Sequence, residues 1–165
     1  MPGTVGICLI SKGLREAMSF SINPYVGVNN VRFGASPSDV TAEWGSPVHV
    51  STTWLGELEE TRGGVSCRYN ADGLVEVAFG RMASVAFDGV DLLHDPEALQ
   101  VLLRKDPTPY ELHGFLVFFE LGIALTGVHD HDEDQLAAGA FIHGRWDPFR
   151  SKMRPWSPQS AANDD

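Results

Sequence analysis

The chain is short of cysteine and of positive charge. Cys8 and Cys67 are the only two cysteines among 165 residues. Two thiols so far apart make no disulfide framework, and there is no CxxC pair for zinc or redox chemistry. Both read as small buried thiols. Lysine and arginine number 12 against 22 aspartates and glutamates, a formal net charge of −10. That shortage of bases argues against a nucleic-acid binder, which needs a basic footprint, and against an anionic membrane surface as partner. Long apolar runs are missing too. The stretch from Val5 to Ile10 is brief, is broken by Gly6 and follows no basic region. It reads as neither a signal peptide nor a membrane span, and a cytoplasmic protein is expected. The G-x-S-x-G elbow, the Walker phosphate loop, HExxH and the EF-hand loop are all absent, so no organised catalytic motif is present.

What is present fits one domain. A chain of this length buries roughly 70% of its extended surface on folding, enough to hold together without a metal or disulfide staple. Residues 1–156 are expected to form it, and 157–165 a polar, frayed tail. Strand signals are short and many: 28–33, 48–55, 65–69, 74–79, 83–87, 115–119, 123–126 and 137–143. Asn70-Ala71-Asp72-Gly73 is a hairpin turn, with Val75, Val77 and Phe79 placed on one face of the strand that follows. Ser36-Pro37-Ser38-Asp39 starts a helix with a cap residue, Pro in the first turn and an acid at its N-terminus. Gly45 and Pro47 end that helix. Asp95-Pro96-Glu97 starts a second, whose apolar stripe is Ala98, Leu99, Leu102 and Leu103 and whose end is Asp106-Pro107. Thr108-Pro109-Tyr110-Glu111 resembles a third cap, cut short by Gly114. Phe33-Gly34 precedes one main helix and Phe87-Asp88-Gly89 the other, which suggests a degenerate internal repeat. The expected fold is a single α+β domain, a largely antiparallel sheet covered by two main helices.

The negative charge is local. Residues 1–50 hold three bases and three acids, so the excess lies further on. It gathers in two runs at expected strand ends, Glu57-Leu58-Glu59-Glu60 and Asp130-His131-Asp132-Glu133-Asp134. Solvated loops explain both. If they meet on one face, Glu57, Glu59, Glu60, Asp130, Asp132, Glu133 and Asp134 make a strongly negative surface that steers a basic partner. Trp44, Trp54, Trp146 and Trp156 are candidate aromatic anchors for an interface, with Trp44 and Trp54 read first as core. His129 and His131, with a third ligand from His143, His113 or His94, are the candidate metal set. Cys67 next to a histidine is the candidate nucleophile, although a strand position favours a structural thiol. The segment Phe141 to Asp147 mixes His, Arg and Asp after a strand and is placed to line a pocket. Arg145 paired with Asp147 or a nearby acid is its simpler reading.

Val31-Arg32-Phe33-Gly34-Ala35-Ser36-Pro37-Ser38-Asp39-Val40, followed by Trp44-Gly45-Ser46-Pro47, resembles a recurrent bacterial pattern. It is similar to segments of the beta-lactamase-inhibitor protein and of BamE-like outer-membrane assembly lipoproteins, and to small immunity proteins encoded beside bacterial toxins. The resemblance covers about 20 residues, with a weaker second copy from Phe87 to Leu103. It implies a fold, and it carries no functional residue over by position. With the acidic balance and the missing catalytic motif, it points to a non-catalytic toxin immunity protein that needs no cofactor. Such a protein occludes a basic surface of its partner through the seven acids named above. Two alternatives stand beside it. One is a metal-dependent hydrolase using His129 and His131. The other is a homo-oligomeric accessory protein whose basic segment 145–154 meets a neighbour's acids.

Overall fold

Turn residues divide the chain into short elements. The computed structural model describes residues 19–159; Cys8, the Val5–Ile10 stretch and residues 160–165 lie outside them. In chain order come β1 (Ser19–Asn23), β2 (Gly27–Val28), β3 (Val31–Arg32), α1 (Pro37–Trp44), β4 (His49–Thr52), β5 (Leu58–Arg62), β6 (Val65–Asn70) and β7 (Gly73–Gly80). Then follow β8 (Ser84–Phe87), β9 (Val90–Asp91), α2 (Ala98–Lys105), β10 (Tyr110–Leu112), β11 (Phe115–Phe118), β12 (Ile123–Thr126), β13 (Ala137–Phe141) and β14 (Arg154–Pro155).

The fold is α+β, as expected, with two sheets. The larger has nine strands in the order β14-β10-β11-β12-β13-β7-β6-β5-β4, all antiparallel. The smaller runs β3-β2-β1-β8-β9, with β1 and β8 parallel. The same succession occurs twice: a small hairpin, a helix and a four-strand meander. β2–β3, α1 and β4–β7 form the first copy; β8–β9, α2 and β10–β13 form the second. The meanders join where β7 pairs with β13 at the centre of the large sheet. The turn equivalent to Asp88-Gly89 is Asn29-Asn30, and Asn29 and Asp88 both hold positive φ, 52° and 53°. The stretch 28–33 is therefore a hairpin, where one continuous strand was expected.

Capping chemistry sets α1. The Asp39 N–H donates to Ser36 Oγ at 3.1 Å, and the Ser36 N–H donates to Asp39 Oδ2 at 3.2 Å, a reciprocal box with Pro37 at the first helical position. At its other end Gly45, at φ 86°, donates to Thr41 O. The third cap signal does not start a helix. His113 and Gly114 both take positive φ, and Tyr110–Leu112 becomes β10, bonded to β11 and β14. Sheet pairing claimed backbone groups that a single helical turn would have left largely unpaired.

One face of the large sheet is buried. Val65, Cys67, Tyr69, Val77, Phe79, Leu116, Phe118, Ile123 and Leu125 pack there against Phe20, Ile22 and Val28 of the small sheet and against Val40, Ala98 and Leu102 of the helices. The small sheet thus shares with the helices the covering role expected of the helices alone. Trp156 is buried in this core, and Trp44 packs edge-on against Phe20, centroids 5.2 Å apart. Trp54, expected in the core, is 89% exposed. It sits in the turn after β4, an edge strand with no layer beyond it among the described residues. No helix among the described residues is long and apolar enough to cross a membrane.

Candidate functional site

The opposite, outer face of the large sheet is open at its centre because its side chains there are small. Paired positions line up across the strands as Thr61, Ser66, Ala78, Gly139, Ala124 and Val117. The next such line is Gly80, Ala137, Thr126 and Phe115. Residues paired in register share a face, so Ala78, Gly139, Ala124 and Ala137 form a low floor. The resulting concavity has a volume of about 650 Å³. Trp146 and Phe115 wall it, their rings 5.2 Å apart. Trp146 packs also on Phe141 and Phe149, and its indole Nε1 is buried without a hydrogen-bond partner.

A chain of alternating charge closes one side. Glu59, Arg68 and Glu76 are paired positions on β5, β6 and β7. The Arg68 Nε donates to Glu59 Oε2 at 2.6 Å, and its Nη1 donates to Glu76 Oε2. Arg145, in the loop after β13, grips Glu57 with both Nη atoms, at 2.5 and 2.9 Å, and reaches Glu76 at 3.2 Å. The partner of Arg145 is thus an acid 88 residues away, and Asp147 is not the one it selects. Arg145 holds the Glu57 carboxyl below its ordinary pKa by donating to it, against the opposing effect of burial. Burial pulls Arg68 down, but Glu76 and Glu59 outweigh it and leave its pKa raised. Three carboxylates against two guanidinium groups leave this network with one net negative charge.

The other acidic run supplies uncompensated charge on the far side. Gly127 permits the tight loop, since a Cβ there would lie 2.3 Å from Asp132 O. Asp130 Oδ1 accepts from the Asp132 N–H and Asp132 Oδ1 from the Asp134 N–H, so three alternate carboxylates line the concavity. Arg81 approaches Asp134 to 4.0 Å with both side chains in solvent. His131 and Glu133 turn the other way, into a second depression of about 710 Å³ beside Met82, His94, Asp95 and Leu99. There Asp91, by hydrogen bonding to the His94 ring, holds that imidazole above its ordinary pKa.

The seven acids therefore divide. Glu57 and Glu59 belong to the network, and Asp130, Asp132 and Asp134 belong to the rim of the same concavity. Glu133 faces the second depression. Glu60 points to the opposite face of the sheet, 7% exposed and bonded to Arg62 and Tyr69. The two runs share a face through five members, and the second run holds the exposed charge.

His129 and His131 do not converge, although His131 shares the second depression with His94. The His129 ring is buried, its Nε2 2.8 Å from Glu111 Oε2 and its plane edge-on to Trp156, while His131 lies on the surface. Among the described residues no group of three or more His, Cys, Asp or Glu is arranged to hold a metal ion. Burial pushes the Cys67 thiol up to about 11, so it stays protonated at neutral pH and is a poor nucleophile.

Sequence reading missed Arg68, Glu76 and Phe115. Arg68 and Glu76 do carry a signal, since each interrupts an alternating apolar strand on its polar face. Nothing in the sequence brings Arg145 to them. No family model, no curated protein and no solved structure matches this chain.

Proposed function

We propose that the chain is a non-catalytic protein-binding protein of the toxin-immunity kind, which seats a basic projection of its partner in the concave outer face of the large sheet. The observation that carries this reading is the acid-rimmed concavity itself. It has a floor of alanine and glycine, an aromatic wall of Trp146 and Phe115, and Asp130, Asp132 and Asp134 with no base among the described residues closer than Arg81 at 4.0 Å.

Each part has a physical role. Small floor residues let a partner backbone or side chain approach the sheet. Trp146 offers the apolar area of its ring, a frequent anchor of interface hot spots, while its indole N–H stays buried. The aspartates attract cationic side chains over a Debye length and reject acidic ones. The network of Glu57, Arg145, Glu76, Arg68 and Glu59 keeps one wall rigid and presents a guanidinium edge to a partner carbonyl. Occlusion of a basic surface then follows from shape and charge, with no bond made or broken.

The test is association with a basic partner co-purified from the native host, followed at low and high salt. Replacing Asp130, Asp132 and Asp134 by Asn should slow association about tenfold at low salt and flatten its salt dependence. The dissociation rate should change less. Unchanged association and unchanged salt dependence would remove these residues from the interface, and with them the proposed site.

A further inference from the structure

The two ends of the nine-stranded sheet are finished differently. At one end β14 has two residues, Arg154 and Pro155, and proline has no N–H to offer a further strand. At the other end β4, His49–Thr52, holds no proline and no charged side chain within the strand. Residues 44–56 contain no Asp, Glu, Lys or Arg, in a chain with a net charge of −10, and no proline follows Pro47 in that stretch. The Thr53 N–H donates to Glu57 O at 2.8 Å, and Ser51 pairs with Glu59 in the same ladder. The alternation of an antiparallel ladder therefore turns the N–H and C=O of Val50 and Thr52 to the open edge. Around them stand three of the most exposed large apolar side chains in the described protein, Val48 at 84%, Val50 at 53% and Trp54 at 89%.

We propose that β4 pairs with β4 of a second copy of this chain, antiparallel about a two-fold axis through Ser51, joining two nine-stranded sheets into one. The register follows from the residues. With Ser51 opposite Ser51, Val50 of each copy lies opposite Thr52 of the other, and their outward groups exchange about four hydrogen bonds. The same register brings Trp54 of each copy opposite Val48 of the other, so the exposed apolar side chains cover one another. Such a contact is isologous and closes, as a two-fold interface must. Charge favours this occupant. Two copies with the same large negative charge repel each other over most of their surfaces, and the approach must be made through a neutral strip. Glu57, the first acid beyond that strip, is already neutralised by Arg145. Dimerisation here leaves the concavity free, so it is independent of the proposed partner site.

The salt response separates the two contacts. Screening weakens attraction of a basic partner but relieves repulsion between like copies, so the dimer should tighten as salt is added. Sedimentation of the full chain over a concentration series should show a monomer–dimer equilibrium, and Val50→Lys should raise its dissociation constant at least about tenfold. Register is tested by cysteine placement in the wild-type background. At a non-hydrogen-bonded pair the Cα atoms lie about 4.5 Å apart, within the range of a disulfide. Ser51→Cys should therefore oxidise to a covalent dimer. His49→Cys, whose opposite position is Thr53, should not, and circular dichroism checks that each variant is folded. A chain that stays monomeric at every concentration and salt, or Ser51→Cys crosslinking no more than His49→Cys, would overturn the proposal.

Discussion

On the buried side of β5 the Arg62 guanidinium Nη2 sits 3.1 Å from Glu60 Oε1, with the two side chains 5% and 9% exposed. Arg62 also donates from Nε to Gly45 O at 2.7 Å and from Nη2 to Thr41 Oγ1 at 3.0 Å, so it satisfies the carbonyl end of α1. Tyr69 donates its hydroxyl to the same Glu60 oxygen. An ion pair of the sheet thus anchors a helix. Arg62→Leu strands a buried carboxylate and should cost about 3–5 kcal/mol. Replacing both residues by Leu should recover much of that loss, because an apolar pair leaves no charge unpaired. Urea midpoints of the two variants measure the difference.

Glu57 links the acid run to the C-terminal half through Arg145, so its titration is linked to folding. Its native pKa is below the ordinary 4.5. A depressed carboxyl contributes stability that is present above the unfolded pKa and is lost as pH falls through the native one. At neutral pH Glu57→Gln should cost about 1.5–3 kcal/mol, the range for a charged hydrogen bond. The gap between variant and wild type should begin to close below about pH 4.5 and vanish below the native pKa. Denaturant midpoints across pH 2 to 8, values set by the carboxylate range, check the sign. A gap that widens in acid contradicts the linkage.

Gly73 makes the closest backbone approach to the Phe33-Gly34-Ala35 segment. The Gly34 N–H donates to Leu74 O and the Leu74 N–H donates to Ala35 O, so the segment before α1 is stitched to the start of β7. A Cβ on Gly73 would lie 2.3 Å from Gly34 O, and its φ is 106°. Gly73→Ala combines a backbone clash with an unfavourable φ and should cost about 3 kcal/mol or more. Gly63→Ala has a positive φ but open space around it, and should cost only about 1 kcal/mol. Thermal melts of the two variants separate clash from conformational preference.

Ala78 lies at the centre of the concave floor, between Ser66 and Gly139. A tyrosine there suits a strand and projects into the concavity, away from the core. Ala78→Tyr should leave stability within about 1 kcal/mol while weakening the basic partner at least tenfold. Comparing the variant's melting curve with its partner affinity distinguishes a filled site from a damaged fold.

The legible parts of this protein were those decided within a few residues. The Ser36–Asp39 box, the Asp72-Gly73 turn and the alternation of β6 and β7 follow from side-chain reach and φ preference, and they fixed the α+β class. The repeat was legible in its succession of elements but not in its alignment: the sequence sets Phe33-Gly34 against Phe87-Asp88-Gly89, whereas the turn equivalent to Asp88-Gly89 is Asn29-Asn30. Trp54 was misread because burial depends on whether a second layer extends over the edge strand, and hydrophobicity does not contain that. Thr108–Glu111 was misread because a capping pattern is only local, and β11 and β14 outcompeted it for backbone bonds.

The sequence by itself determined that seven acids fall in two runs and that the charge is local. Tertiary structure decided what each acid is for. Strand parity sent Glu60 into the core and Glu59 to the open face, although they are adjacent. A base 88 residues from Glu57 took that carboxylate, and the Asp130 loop kept its charges in solvent. The physical reason is range: turn and cap chemistry acts over a few residues, whereas pairing of charges depends on distances that only the closed sheet sets.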